Sequence, residues 1–147
     1  MKAVIVDLDG TLFDTSERFS LCQKEAKSKR EFWECYQSSR FMNLDKVNEK
    51  VAQLIRELAK KYAIIIVSGR KKETQYDYTV KQLRDNNIPY SEIIMREGND
   101  FSKDYEFKSK AIEQLLSKYE IEIIIDDSEE VRKTIEQKFR IKAIDPN

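Results

Sequence analysis

Five short runs rich in valine and isoleucine constrain the fold of this 147-residue chain more than any other feature. Their apolar residues do not alternate with polar ones, which is typical of strands buried on both faces of a sheet. Segments with apolar residues at helical spacing separate the runs. We therefore predict an α/β fold, a doubly wound, Rossmann-like parallel sheet of five strands with helices on both faces. The predicted strands cover residues 2–6, 63–67, 92–95, 121–125 and 141–144.

The helical spacing also indicates where the covering helices begin and end. Asn43 or Asp45 can cap the first of them, and Asn86-Asn87 is a stop signal for the second. In a sheet of this kind, ligands bind beyond the carboxyl ends of the strands. The predicted helices lie within residues 47–58, around Val80 and Leu83, and within residues 111–119 and 131–139.

The length of the chain suits a single domain over residues 1–147. Residues 12–45 are its least regular part and mix aromatic with basic side chains. We expect this segment to form a small insert near the active site that faces the substrate. The alternative is a solvated helix whose aromatic side chains pack on the edge of the sheet.

The composition excludes several kinds of catalytic site. There is no histidine, which rules out Ser-His-Asp and Cys-His catalysis and any zinc site that needs imidazole. The 27 basic and 27 acidic residues balance, so no global positive field attracts nucleic acid. Cys22 and Cys35 are interpreted as ordinary thiols in a reducing interior. The first apolar run is too short for a signal peptide or a membrane span, so we expect a soluble, cytoplasmic protein.

Acidic side chains follow two of the predicted strands. Asp7 and Asp9 follow the first strand, and Asp126 and Asp127 follow the fourth. If these strands are neighbours, the four carboxylates converge and repel one another unless a cation lies among them. Oxygen ligands without histidine or cysteine favour Mg²⁺. The alternative is that each aspartate only caps the helix that follows it.

A phosphate-binding set follows the second strand. Ser68 offers a hydroxyl, Gly69 lets the backbone approach a ligand, and Arg70 supplies a fixed positive charge. A further cation is expected near phosphoryl oxygens, where charge changes during transfer. Lys108, at the start of a helix between the third and fourth strands, is the candidate. Its competitors are Lys103 and Lys110.

Four segments of the chain, taken in sequence order, resemble the four motifs of the haloacid dehalogenase phosphatases. The resemblance implies that Asp7 attacks phosphorus and forms an aspartyl-phosphate. It implies that Asp9 protonates the leaving oxygen and later deprotonates the attacking water. The matching segments are Asp7-Leu8-Asp9-Gly10-Thr11, Ser68, Lys108 and Asp126-Asp127.

The same resemblance implies a Mg²⁺ site and a phosphate grip. The ligands would be the Asp7 carboxylate, the Asp9 backbone carbonyl and Asp126, with Asp127 bound directly or through water. Ser68 and Lys108 would hold the phosphoryl oxygens. The segments between the motifs are too short for the large cap domain that encloses small substrates, so we expect an open site.

A closer resemblance is to the phosphatase domains of polynucleotide kinase-phosphatases. These domains have an arginine shortly after the first motif, a Ser-Gly-Arg second motif and an Asp-x-x-x-Lys third motif after an arginine-containing strand end. Here the first of these is Arg18, the second is Ser68-Gly69-Arg70, and the third is Asp104 to Lys108 after Arg96. The resemblance implies a nucleic-acid 3′-phosphate as the substrate, contacted by Arg18 and Arg70. The chain contains no Gly-x-x-x-x-Gly-Lys-Ser/Thr loop, so it encodes no kinase.

Two other functions remain open at this point. The first is a phosphatase of the same fold that acts on a nucleotide, a small phosphate ester or a phosphoprotein. The second is a binding protein that kept the fold and lost turnover.

Overall fold

The computed structural model describes residues 1–147 and contains seven strands and six α-helices. None of the six α-helices combines the length and the hydropathy that a membrane-spanning helix requires. The strands are β1 (Lys2–Val6), β2 (Phe13–Asp14), β3 (Lys46–Val47), β4 (Ala63–Lys71), β5 (Glu92–Arg96), β6 (Glu120–Ile125) and β7 (Lys142–Ile144). The helices are α1 (Ser16–Glu25), α2 (Lys29–Tyr36), α3 (Glu49–Leu58), α4 (Lys72–Asp85), α5 (Asp104–Leu115) and α6 (Glu129–Phe139).

Five of the strands form one parallel sheet in the order β5-β4-β1-β6-β7. The predicted fold class is confirmed, and there is no cap domain. β1 lies in the centre, so its carboxyl end is flanked by those of β4 and β6. The order along the sheet reverses at β1, and such a point is where α/β sheets bind ligands.

Side chains of the central strands alternate between two apolar cores. In β1, Ala3 and Ile5 face one core, and Val4 and Val6 face the other. Helices α5 and α6 complete the first core, and α3 and α4 contribute to the second. Because both faces of the sheet are covered, apolar burial explains why the strands show no polar alternation.

Two details of the predicted elements are wrong. Asn48, and not Asn43 or Asp45, caps α3, since its side chain accepts a hydrogen bond from the backbone N–H of Val51 at 3.3 Å. Strand β4 also continues four residues beyond Val67, because it stays paired with β5 as far as Lys71. The predicted stop signal is confirmed, since α4 ends at Asp85 with Asn86 as its C-cap.

Residues 12–45 form a small helical hairpin. Strand β2 pairs antiparallel with β3, so the chain enters and leaves this segment side by side. Helices α1 and α2 lie between these strands, followed by a 3₁₀ turn at Met42–Leu44. We call this part of the chain the α1–α2 hairpin.

The interpretation of the two cysteines is wrong. Cys22 in α1 and Cys35 in α2 form a disulfide, with their Cα atoms 5.5 Å apart. The sequence pattern did not indicate the pairing, because it depends on the two helices of the hairpin folding back on each other. The bond joins two helices that have little apolar core of their own, since α2 has no buried residue.

Candidate active site

The acidic residues predicted at two strand ends do lie together. Asp7 follows β1 and Asp126 follows β6, and these strands pair in parallel, with Val6 opposite Ile125. Oxygen atoms of Asp7, Asp126 and Asp127 all lie within 4.8 Å of one another. The first two side chains are buried and the third is exposed. Three carboxylates at this distance repel one another. A hard divalent cation removes such repulsion, because it takes carboxylate oxygens as ligands.

A buried lysine lies between these carboxylates. Lys108 Nζ donates to Asp7 Oδ1 at 2.9 Å and to Asp126 Oδ2 at 2.6 Å, and lies 3.3 Å from Asp104 Oδ2. Lys108 lies in the second turn of α5, where its side chain can reach the edge of the sheet. Neither Lys103 nor Lys110 makes such contacts, since both side chains are exposed. Of the three lysines considered, the structure places Lys108 in the site.

Burial and charge act in opposite directions on this group. Burial alone would lower the pKa of the Lys108 ammonium, but the surrounding carboxylates raise it far above its ordinary value. Burial raises the pKa of Asp7 well above its ordinary value, although the Lys108 charge opposes this, and burial likewise raises the pKa of Asp126. The centre therefore contains charges that need a compensating partner.

The turn between β1 and β2 holds the first motif in place. The Thr11 hydroxyl lies 3.1 Å from Asp7 Oδ2 and 3.3 Å from Asp127 Oδ1, and it accepts a hydrogen bond from the backbone N–H of Asp127. Gly10 has a φ of 82°, and a Cβ on it would lie 2.3 Å from Asp127 Oδ2. The turn therefore requires glycine, both for its backbone conformation and for space beside the carboxylate.

Asp9 is held by the two predicted arginines. Arg70 donates to Asp9 Oδ1 through Nε at 3.0 Å and Nη2 at 2.8 Å, and Arg18 Nη2 donates to the same oxygen at 3.2 Å. Asp9 Oδ2 makes no hydrogen bond with the protein, and the side chain is 23% exposed. Burial alone would raise the pKa of Asp9, but Arg70 and Arg18 lower it below its ordinary value. One oxygen is thus fixed and the other is free.

Both arginines are themselves buried, and both have further partners. The side chains of Arg18 and Arg70 have no exposed area. Arg18 Nη1 also donates to the backbone carbonyl of Tyr36 at 2.8 Å, and Arg70 Nη1 donates to the hydroxyl of Thr79 at 2.8 Å. The structure therefore directs these guanidinium groups at Asp9 rather than at open solvent.

Asp45 is a site residue that the sequence did not reveal. Its buried carboxylate accepts from Arg18 Nε at 3.0 Å through Oδ1, and from Arg70 Nη2 at 3.3 Å through Oδ2. Gln82 Nε2 donates to it at 3.1 Å. Burial raises the pKa of Asp45, and Arg18 opposes that shift. A single aspartate in an irregular segment carries no sequence signal other than that of a helix cap.

The third motif is linked to the second by an arginine of β5. Arg96 donates to the carbonyls of Gly69 at 3.3 Å and Ser102 at 2.6 Å, and its Nη2 lies 3.4 Å from Asp104 Oδ1. Asp104 in turn lies against Lys108. A Cβ on Gly69 would lie 2.7 Å from Asp104 Oδ1, so the close approach of the two motifs requires glycine here.

Ser68 lies on β4 directly beside β1. Its side chain is buried, and its Oγ accepts a hydrogen bond from the backbone N–H of Arg70 at 3.1 Å. Neighbouring parallel strands therefore carry Ser68, Asp7 and Asp126 to one edge. Asp7, Ser68, Lys108 and Asp126, which the sequence singled out, are thus collected around the end of β1.

Comparison with known families identifies the family of the chain. The sequence matches the family described as "Polynucleotide kinase PNKP phosphatase domain" over residues 1–143. The chain belongs to this family. The matched range contains every motif described above, and the match makes the chain a phosphatase of the haloacid dehalogenase superfamily. A comparison with curated proteins yields no match.

Solved structures of the superfamily have the same fold. A chain of "Structure of Pnkp1/Rnl/Hen1 complex" is 26% identical with a TM-score of 0.77, over 97% of this chain and 45% of that chain. A chain of "Structure of the Pnkp1/Rnl/Hen1 RNA repair complex" is also 26% identical, with a TM-score of 0.76, over 97% and 41%. The protein described here thus spans less than half of the length of these two relatives. The class C acid phosphatase from Bacillus anthracis is 18% identical, with a TM-score of 0.68, over 97% and 65%, which shows a shared fold.

Proposed function

We propose that the protein is a Mg²⁺-dependent polynucleotide 3′-phosphatase that acts through an aspartyl-phosphate on Asp7. The match of residues 1–143 to phosphatase domains of polynucleotide kinases carries this proposal. The two solved relatives come from a Pnkp1/Rnl/Hen1 complex, one of them described as an RNA repair complex, which supports a nucleic-acid substrate. The absence of a cap domain supports it further, because an uncovered site can admit the end of a strand.

Asp7 and Asp9 divide the chemistry between them. A carboxylate oxygen of Asp7 forms a bond to phosphorus as the bond to the 3′-oxygen breaks, and Asp9 gives its proton to that oxygen. Asp9 then takes a proton from water, which attacks phosphorus and frees Asp7 and inorganic phosphate. Since Arg18 and Arg70 both bind Oδ1 of Asp9, the free Oδ2 is the atom that carries the proton.

In this proposal, Arg18 and Arg70 are positioning residues. Their buried guanidinium groups are paired with Asp9 and Asp45, so they fix the direction of the Asp9 carboxylate. They also keep Asp9 ionised in the unliganded protein, so Asp9 takes up a proton from solvent when the negatively charged phosphate binds beside it. It gives that proton to the leaving oxygen and is then ionised again for its second task of deprotonating water. The direct phosphate contacts are left to Ser68, Gly69 and Lys108, with Thr11 and Asp104 as supporting residues.

The donor set of the site fits Mg²⁺. Its ligands would be the carboxylates of Asp7, Asp126 and Asp127, which are close enough together to surround one ion, and the backbone carbonyl of Asp9. When bound, Mg²⁺ would neutralise the converging carboxylates and the charge on the phosphoryl oxygens. Lys108 would then turn from Asp7 towards the phosphoryl group, since its long side chain already lies at the centre.

A substrate panel tests the proposed function. Phosphate release is measured with Mg²⁺ from a 3′-phosphorylated oligonucleotide, the same oligonucleotide phosphorylated at its 5′ end, and free nucleotides. We expect the 3′-phosphorylated strand to have the highest kcat/KM. The Asp7→Asn variant is the control and should release no phosphate, because an amide cannot serve as the nucleophile.

The panel also separates the other functions. Preference for free nucleotides or a 5′ end would contradict the 3′-end proposal and leave a phosphatase of another specificity. If the wild type released no phosphate from any substrate, including a generic aryl phosphate, the chain would be a non-catalytic member of the fold.

A further inference from the structure

The α1–α2 hairpin carries an aromatic surface that the proposed chemistry does not use. Phe19, Phe32, Trp33 and Tyr36 form this aromatic surface. Phe32 is its centre, with ring centroids 4.9 Å from Phe19, 5.0 Å from Trp33 and 5.7 Å from Tyr36. Phe19 is 42% exposed and Trp33 is 44% exposed. Contiguous exposed apolar area of this kind indicates a binding surface, unlike single exposed side chains.

A groove lined by two lysines lies beside this surface. It has a volume of about 440 Å³ and is lined by Phe19, Phe32 and Trp33 together with Lys27 and Lys29. Neither lysine takes part in an ion pair, and no acidic residue lines the groove. The groove therefore offers flat rings and unpaired positive charge, which complement a ligand that combines planar apolar groups with negative charge.

The aromatic surface is continuous with the active site. The Arg18 guanidinium lies over the Tyr36 ring, 4.5 Å from its centroid, and it also donates a hydrogen bond to Asp9. The Tyr36 ring stacks on Phe32 with an angle of 10° between the rings. A ligand on the exposed rings thus lies two residues away from the arginine that holds Asp9.

Two contacts also hold the helices of this surface together before any ligand binds. The disulfide between Cys22 and Cys35 joins the two helices that carry the rings. The Tyr36 hydroxyl is 2.9 Å from that of Thr15, which ties the last turn of α2 to the start of α1. A preorganised surface loses little conformational entropy on binding.

We propose that the aromatic surface binds the nucleobases of a single-stranded nucleic acid whose 3′-phosphate lies at Asp7. This inference rests on the proposed function and assigns the path of the strand. Bases stack on Trp33, Phe32 and Phe19, and Lys27 and Lys29 contact the phosphates between them. Stacking accepts any base, so the surface contributes affinity without sequence preference. An unstructured acidic peptide matches the charge of the groove but supplies no series of planar rings.

Trp33 reports directly on this surface, because it is the one tryptophan of the chain. The wild type is titrated with a single-stranded oligodeoxythymidylate of about ten nucleotides that carries no phosphate at either end. We expect saturable quenching of Trp33 fluorescence. An abasic oligomer of the same length, and a polyglutamate, should quench little. Equal quenching by the abasic oligomer, or none by the oligothymidylate, would overturn the inference.

Variants test the same surface during turnover. Trp33→Ala should lower kcat/KM on the 3′-phosphorylated strand about tenfold, through KM, because one stacked base is lost. Trp33→Phe should retain most of the wild-type kcat/KM, because phenylalanine also stacks on a base. Tyr90→Ala is the matched control, since Tyr90 is a similarly exposed aromatic. It precedes β5 and so lies at the amino end of that strand, whereas the site lies at the carboxyl ends of the strands. On a nucleoside 3′-phosphate, which has no upstream bases, all three variants should match the wild type.

The lysines provide a second, independent measurement. Lys27→Gln with Lys29→Gln should weaken the quenching titration and make its dependence on salt shallower by about one unit of slope for each lost phosphate contact. An unchanged salt dependence would remove the lysines from the proposed path.

Failure of this inference is distinguishable from failure of the proposed function. If the wild type hydrolyses 3′-phosphorylated strands but Trp33→Ala is unaffected, the function stands and the proposed strand path is wrong. If no oligonucleotide is hydrolysed, the proposed function is wrong, while the titration with unphosphorylated strand still decides whether the surface binds nucleic acid. A loss of activity on every substrate, accompanied by a lower Tm, would show that Trp33 acts only in folding.

Discussion

At the residue scale, Asp9 shows how two similar carboxylates come to differ. Asp7 lies against a lysine and two acids, and burial raises its pKa, whereas Asp9 lies against two arginines, which lower its pKa. The two residues are only two positions apart, so the difference arises from their partners and not from local sequence. Environment in this way assigns different tasks to neighbouring acids.

Replacing Asp9 with asparagine should remove proton transfer and keep metal binding. The proposed ligand from this residue is its backbone carbonyl, which the substitution retains. We expect kcat to fall by about a hundredfold or more, while the affinity for Mg²⁺, measured by calorimetry, stays near that of the wild type. Near-normal turnover in Asp9→Asn would rule out the proton-transfer role.

Asp45 should act through the arginines that it holds. Asp45→Asn removes the charge that pairs with Arg18 and Arg70, so the Asp9 carboxylate loses its fixed orientation. We expect kcat to fall about tenfold or more with KM little changed. The control is Asp85→Asn, an exposed aspartate on α4 paired with Lys81. An equal effect of both substitutions would contradict the positioning role.

At the scale of elements, the carboxyl ends of three neighbouring strands each contribute one part of the site. The central strand β1 provides the acids, β4 provides the Ser-Gly-Arg segment, and β6 provides the second acidic pair. Their convergence was predictable, because the carboxyl ends of parallel strands meet at one edge of a sheet. The α1–α2 hairpin was not predictable as a hairpin, since its two helices are held together by a disulfide and by ring contacts that have no signal in the sequence.

The disulfide should stabilise the fold through the hairpin. Replacing Cys22 and Cys35 together with serine should lower the free energy of unfolding by about 3 kcal/mol, given the short loop that the bond closes. Urea denaturation measures the difference. Dithiothreitol should shift the wild-type curve towards that of the double variant and leave the variant unchanged. Coincident curves for oxidised wild type and variant would show that the bond contributes nothing.

At the scale of the whole molecule, the site joins parts of the chain that are distant in sequence. Lys108 meets Asp7 across 101 positions, and Arg70 meets Asp9 across 61. The carboxylates collected there are held together by the rest of the fold against their mutual repulsion. A cation that neutralises them should therefore stabilise the entire domain and not only the loop that binds it.

Mg²⁺ should raise the Tm of the wild type in a saturable way. The expected stabilisation is about 2.7 kcal/mol when free Mg²⁺ is about a hundred times its Kd. Asp127→Asn, which alters the exposed member of the proposed ligand set, should reduce the shift, whereas Asp145→Asn near the C-terminus should not. Sodium chloride at matched ionic strength is the salt control. If Mg²⁺ and sodium chloride had the same effect, the acidic cluster would not be a specific metal site.

The sequence by itself determined the fold class, the five strands of the sheet and most of the residues gathered at their carboxyl ends. These features are local, because burial on two faces makes a run apolar, and a strand end places its next side chains at the edge of the sheet. Only the tertiary structure decided the pairing of Cys22 with Cys35, the clamp of Arg18 and Arg70 on Asp9, and the role of Asp45. Such contacts have no periodic signal, since they depend on where separate elements bring single side chains together.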